Sequence, residues 1–228
     1  MRLLIVLPSW LGDCVMATPT LRRIREAHRG AFIGALARPG MDQLFAGSDL
    51  FDEIHVERAS GMMGPKFVAA KVRPRRYDAA ALLTNSFSTA LITRIAGIAR
   101  RIGYDRDGRG LLLTDRLKAP KVTDGPRKGD WAIIPAVDYY WALSTFLLER
   151  LPSGNGVELG GSPGYMELAT TPQEEHEADD MLQRGGISPD EPFAILNPGG
   201  NNPAKRWPAA RFAALARELD TRHGLRIV

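Results

Sequence analysis

Residues Leu3 to Leu7 are five consecutive apolar side chains, broken off by Pro8-Ser-Trp-Leu-Gly-Asp13 before a helical pattern begins. An apolar run of this kind suits a short strand covered on both faces, as in a parallel sheet packed between helices. A carboxylate delivered just past the carboxyl end of such a strand stands where open parallel sheets place their ligands. Asp13 is therefore a candidate for chemistry. It is equally a candidate cap for the following helix, since Asp ranks among the best capping residues.

The strand–helix alternation continues along the chain. Residues 31–37 (AFIGALA) form a second apolar run, and 52–57 (DEIHVE) alternate as at a sheet edge. Between the first two strands a helix is expected from about Asp13 to His28, with Pro19 kinking or shortening it. Residues 77–86 read as a further strand ending in Asn85 and Ser86, either of which can cap the next helix. Phe87, Leu91 and Ile95 then make an apolar stripe that Gly97 can stop. Asp105-Arg106-Asp107 has a spacing able to hold a divalent metal, but it leads into Gly108 and Gly110 and reads as a polar turn.

Residues 118–130 read as a loop, 135–151 as a helix, 153–164 as a linker and Met166–Ala169 as a short strand. A helix follows with Thr171 as cap and Pro172 at its first position. After Pro192 the pattern restarts: strand 193–196, the loop NPGGNNPAKRWP, a helix from Pro208 to about Arg222 ended by Gly224, and a strand beginning at Leu225. The expected class is α/β, with a Rossmann-like parallel-sheet domain over 1–170. A linker helix and connection at 171–191 lead to the first strand-helix-strand of a second such domain over 192–228, expected to be incomplete.

At 228 residues, 44% hydrophobic and 25% charged, the composition is that of an ordinary soluble globular protein. No stretch approaches the ~18 apolar residues of a membrane span. The amino-terminal run is too short for a signal-peptide core, so a cytoplasmic protein is expected. One cysteine, Cys14, and four scattered histidines give no ligand spacing, so no metal is expected. The net charge of +4 and pI near 9.4 favour an anionic partner.

The most uneven charge lies in 58–76. Lys66, Lys71, Arg73, Arg75 and Arg76 occur there without an acidic residue between Ala59 and Tyr77, behind Met62 and Met63. This is either a solvated helix with a mobile lead-in loop, or a contact for anionic lipid headgroups or a phosphorylated acceptor. No nucleic-acid motif is present and the basic residues lack interleaved aromatics, so no nucleic-acid partner is expected.

The second candidate site is the loop 197–208. Gly199, Gly200 and Asn201 let a backbone come close to a ligand, and Pro208 opens a helix whose amino end carries free donors and positive dipole. Lys205 adds a full charge three residues earlier. Together they make a cradle for a diphosphate, although the Gly-Lys-Ser/Thr ending of a P-loop is missing. The alternative is a turn with a surface lysine.

Pro8-Ser-Trp-Leu-Gly-Asp13, Asn85-Ser-Phe, Ala96-Gly-Ile-x-x-Arg-x-Gly-Tyr104 and Pro203-Ala-Lys-Arg-Trp-Pro208 occur in this order. As a set over essentially the whole chain they resemble the ADP-heptose:lipopolysaccharide heptosyltransferases, most closely the heptosyltransferase II branch. The resemblance implies the GT-B architecture of glycosyltransferase family 9, with an acceptor-binding first domain and a nucleotide-sugar-binding second one. It implies Asp13 as general base, and Lys205 with Gly199, Gly200 and Asn201 as contacts to the donor diphosphate. Many relatives carry Ser or Thr in that loop, and this chain does not. Ser9, Trp10, Gly12, Asn85 and Ser86 are candidate acceptor contacts; Trp10 can stack on a sugar ring or fill the core. The implied partners are ADP-heptose, as donor substrate rather than cofactor, and a lipid A-core acceptor at the inner face of the cytoplasmic membrane. Two alternatives stay open: an acceptor-binding module without activity on its own, or a relative using a different acceptor.

Overall fold

The computed structural model describes residues 1–56, 61–152, 160–188, 191–200 and 202–228. These form two units, Met1–Thr170 and Thr171–Val228. In the first, β1 (Arg2–Val6), β2 (Phe32–Ala37), β3 (Glu53–Val56), β4 (Ala79–Leu82), β5 (Arg100–Asp105) and β6 (Asp115–Lys118) make one sheet. Its order is β3-β2-β1-β4-β5-β6, and every adjacent pair is parallel. The alternating run at 53–56 lies at an edge, as its pattern predicts, and the continuous run after Arg2 lies in the centre.

The two faces of β1 explain its unbroken apolar sequence. Leu3, Ile5 and Leu7 enter one core cluster with Cys14, Ala17, Leu21 and Ile24 of α1 (Leu11–Ala27) and Tyr140, Leu143 and Leu147 of α5 (Ala136–Arg150). Leu4 and Val6 enter the other, with Val68, Ala69 and Val72 of α3 (Gly64–Val72) and Ala90 and Ile92 of α4 (Phe87–Ile95). The short α2 (Met41–Leu44) packs at the margin of the first cluster. Each fully buried Leu or Ile contributes about 1.5–3 kcal/mol relative to exposure, so the sheet is held from both sides.

Pro19 neither shortens nor ends α1, contrary to the expectation from its type. The proline cannot donate to the Val15 carbonyl four residues back. Thr18 donates its hydroxyl to that same carbonyl at 2.8 Å, so the helix continues with its acceptor satisfied. The Gly97 stop is a Schellman turn. Gly97, at φ +80°, donates to the Arg94 carbonyl at 3.1 Å, and Ile98 donates to Thr93 at 3.2 Å.

Two expectations along this unit are corrected. Residues 100–105 form β5, a strand the sequence does not single out, so Asp105 ends a strand and the expected polar turn is confined to Arg106–Gly108, with Asp107 and Gly108 at positive φ. Its charges hide the strand in the sequence: Arg100 pairs with Asp115 at 2.8 Å, and buried Arg101 donates to the carbonyls of Ile98 and Leu112. Met166–Ala169 form no strand; Glu167 instead donates its N–H to Thr18 at 3.0 Å and its carboxylate pairs with Arg22 at 2.7 Å.

In the second unit, α6 (Pro172–Arg184) begins with a capping box between Thr171 and Glu174. Then β7 (Phe193–Ala194), α7 (Ala209–His223) and β8 (Arg226–Ile227) form a parallel strand-helix-strand unit, with Gly224 in the left-handed conformation after α7. Residue 57 of the third expected strand, residues 58–60 of the basic stretch, residues 153–159 of the linker and Asn201 lie outside the described residues.

Candidate active site

In a sheet of order 3-2-1-4-5-6, ligands settle at the carboxyl ends of the strands where the winding reverses, between β1 and β4. The first-unit candidates all reach this place. Ser9, Trp10, Gly12 and Asp13 follow β1, and Asn85 and Ser86 follow β4. Trp10 is 70% exposed, so it does not fill the core. Beyond its own helical turn and chain neighbours, no described group lies within 4 Å of where a Cβ on Gly12 would stand, so no packing contact among the described residues requires a glycine there.

Asp13 does not cap α1. The cap position belongs to Trp10, with no side-chain cap bond, and Asp13 is the third helical residue. The helix starts two residues earlier than the sequence suggests: its first intrahelical bond runs from the Cys14 amide to the Trp10 carbonyl at 3.0 Å, and the Cys14 thiol ties the preceding loop down by donating to the Pro8 carbonyl at 3.4 Å. Burial, and then the neighbouring Asp13 charge, push the thiol up to about 11, so Cys14 stays a neutral clip. Asp13 keeps the favourable dipole of a first-turn carboxylate, typically about 0.3–1 kcal/mol. Half-buried, it forms no hydrogen bond or ion pair among the described residues.

Two adjacent tyrosines of α5 link the loops. Burial raises the pKa of Tyr140 and the Asp13 charge adds to it, while the Tyr139 hydroxyl donates to Asn85 Oδ1 at 3.1 Å. Tyr139 also stacks on Tyr104 with ring centroids 3.8 Å apart, and the Tyr104 hydroxyl donates to the Tyr139 carbonyl at 2.7 Å.

Behind Asn85 lies a residue the sequence does not single out. Arg109 is fully buried; its guanidinium donates to the Tyr104 carbonyl at 3.0 Å, to the Thr84 carbonyl, and to Asn85 Oδ1 at 3.3 Å. Gly103 makes room for it: a Cβ there would stand 3.1 Å from Arg109 Nη2. Arg109 forms no ion pair with a carboxylate among the described residues, and burial pulls its pKa down to about 10. The Gly103-Tyr104 end of the third sequence block therefore supports Asn85 from behind. Ser86 holds the cap position of α4 but makes no side-chain cap bond; it is exposed beside Asn85.

The second-unit candidates sit in the loop between β7 and α7. Lys205 closes a 3-10 turn (Pro203–Lys205) that Asn202 Oδ1 caps by accepting from Ala204 at 3.0 Å. Arg206, to which the sequence assigns no role, donates Nε to the Gly200 carbonyl at 2.6 Å. Gly199 and Gly200 do not use the left-handed backbone expected of them, since neither has positive φ; both are exposed. Pro208 is the cap of α7 rather than its first residue, and Lys205 is exposed.

Residues 67–228 match the glycosyltransferase family 9 (heptosyltransferase) profile. The chain is 27% identical over 227 residues to lipopolysaccharide heptosyltransferase 2 of Escherichia coli, covering 96% of this chain and 60% of that protein. It is 26% identical over 226 residues to lipooligosaccharide heptosyltransferase 2 of Haemophilus ducreyi, again covering 96% and 60%. The chain thus spans about 60% of the length of these curated relatives. Among solved structures, the ADP-heptose lps heptosyltransferase II of E. coli superposes with a TM-score of 0.74 at 26% identity, over 100% of this chain and 63% of that one. A family 9 glycosyl transferase from Veillonella parvula shares the fold, with a TM-score of 0.79 at 20% identity over 99% and 61%. The chain belongs to glycosyltransferase family 9, the heptosyltransferases.

Proposed function

We propose that this chain serves transfer of L-glycero-D-manno-heptose from ADP-heptose to the lipopolysaccharide inner core, with heptosyl-Kdo-lipid A as acceptor, inversion at the anomeric carbon and no metal. The observation that carries this is Asp13: a carboxylate without protein partner among the described residues, on the first turn of α1 in the switch-point crevice. Asp13 takes the proton of the acceptor hydroxyl as its oxygen attacks the anomeric carbon. The bond from that carbon to the diphosphate breaks, and ADP leaves with the electron pair. Lys205 and the amino end of α7 offset the charge that builds on the leaving group. Gly199, Gly200 and Asn201 are proposed to border the diphosphate, and Ser9, Trp10, Gly12, Asn85 and Ser86 the acceptor.

The acceptor is a lipid, and the exposed apolar residues support a membrane-side face. Trp10, Leu11, Met62, Met63, Phe67 and Phe87 are all exposed and all follow the carboxyl ends of β1, β3 or β4. The basic stretch does not act with them as one patch. The helix α3 runs back across the sheet, leaving Lys66 beside this rim and carrying Lys71 and the arginines away. Arg75 is bound to Glu53 at 2.6 and 2.8 Å, and Arg73 to the Ile95 carbonyl at 2.6 Å. No helix among the described residues is long and apolar enough to cross a membrane.

The decisive experiment compares Asp13→Ala with the unsubstituted chain, each as the 228-residue form and as a form extended to the relatives' length. Transfer abolished while ADP still binds supports the base role; retained turnover refutes it. Turnover only in the extended form identifies the 228-residue chain as an acceptor-binding module.

A further inference from the structure

We infer that Arg109 and Tyr139 are positioning residues that turn the Asn85 side chain so that its NH2 group, not its carbonyl, faces the crevice as a donor to an oxygen of the acceptor. This rests on the crevice being the acceptor site. An arginine can only donate, so the Asn85 atom 3.3 Å from Arg109 Nη2 must be the oxygen, and Tyr139 adds a second donor to it at 3.1 Å. The Asn85 amide cannot flip without placing its NH2 against a buried guanidinium. Asn85 is half-buried at the carboxyl end of β4, and no described residue accepts from its Nδ2.

The rest of the network holds that orientation. Arg109 is anchored at its other end by the Thr84 and Tyr104 carbonyls, and Tyr139 by its stack on Tyr104. A buried arginine without a carboxylate partner is costly to keep, and a salt bridge at position 85 would relieve it. The chain carries an amide there instead. An aspartate would satisfy Arg109 better but would present only acceptor oxygens to the crevice. The amide satisfies Arg109 less well and keeps a donor for the ligand.

Asn85→Asp tests this. The aspartate accepts from Arg109 and Tyr139 as the amide does, so the melting temperature of the 228-residue chain should stay equal or rise, whereas Asn85→Leu should lower it. A lower melting temperature for Asn85→Asp overturns the assignment of the oxygen, and that arm needs no ligand. In transfer assays on the extended form, with ADP-heptose and heptosyl-Kdo-lipid A, Asn85→Asp should raise the acceptor KM at least tenfold and leave the ADP-heptose KM unchanged. Tyr139→Phe should raise the acceptor KM by a smaller factor. An unchanged acceptor KM in Asn85→Asp overturns the donor role and leaves Asn85 as scaffold. If the unsubstituted enzyme transfers nothing to this acceptor, the proposed function fails. The donor role then stands or falls on whether the Asn85 side-chain 15N–1H2 signals of the 228-residue chain shift on titration with the deacylated heptosyl-Kdo oligosaccharide.

Discussion

Replacing Thr18 by valine removes one hydroxyl from a site with no exposed surface and keeps the side-chain shape. That hydroxyl does two things: it donates to the Val15 carbonyl that Pro19 leaves without its helical donor, and it accepts from the Glu167 N–H at 3.0 Å. Thr18→Val leaves both part-buried groups without a protein partner, at about 1–2 kcal/mol each, so a total loss of ~2–4 kcal/mol is expected. With a urea dependence of ~2 kcal/mol per molar, the unfolding midpoint falls by about 1–2 M. The sharper test is a double-mutant cycle with Pro19→Ala, which restores an N–H four residues after Val15. In that background Thr18→Val strands only the Glu167 N–H, so the two substitutions should couple by about 1–2 kcal/mol. The cycle also cancels what proline contributes through the unfolded chain. Urea unfolding of the four proteins, followed by circular dichroism, reads the coupling directly. Additive effects within 0.3–0.5 kcal/mol, the usual scatter of independent sites, would show that Thr18 does not stand in for the missing donor.

The remaining predictions concern donor, membrane and acid. Lys205→Ala should raise the KM for ADP-heptose about tenfold or more with a smaller effect on the acceptor, read by initial rates in the extended form; an unchanged donor KM counts against the diphosphate contact. Met62→Glu with Phe67→Glu should weaken sedimentation with anionic vesicles, while Arg75→Glu should act mainly on stability because its partner is Glu53; equal vesicle binding by all three proteins sinks the proposed rim. Burial lowers the pKa of His28 and His55 from 6.5, so the unfolded chain takes up protons that the folded one refuses. Their contribution is complete above 6.5 and is lost as pH falls through the lower folded values. Melting temperature should drop between pH 7.5 and 5, and a His28→Gln, His55→Gln protein should drop less. The carboxylates of Asp49 and Glu53, held down by hydrogen bonds from Arg22 and Arg75, add their loss only at more acid pH, so the two windows separate.

The amino-acid sequence by itself determined the alternation of buried strands and helices. Two-sided burial forces an unbroken apolar run, a local signal that 3–7 carry plainly, and the alternation at 53–56 marks an edge strand whose residues are all only partly buried. It also marked Thr171 as a cap and Gly97 and Gly224 as helix ends, whose conformations depend on neighbours a few residues away. Ordered blocks around Asp13, Asn85 and Lys205 were enough to carry the family resemblance. Only the tertiary structure decided what those residues touch. Arg101 and Arg109 read as surface charge until carbonyls distant in sequence or across the sheet are brought to them, and β5 is hidden for that reason. Pro19 reads as a helix breaker until Thr18 is seen to supply the missing donor. Asp13 reads as a cap as easily as a base, because capping depends on where the helix starts. The helix begins at Leu11, and the Cys14 thiol clips the preceding loop to the Pro8 carbonyl, a contact no periodicity records.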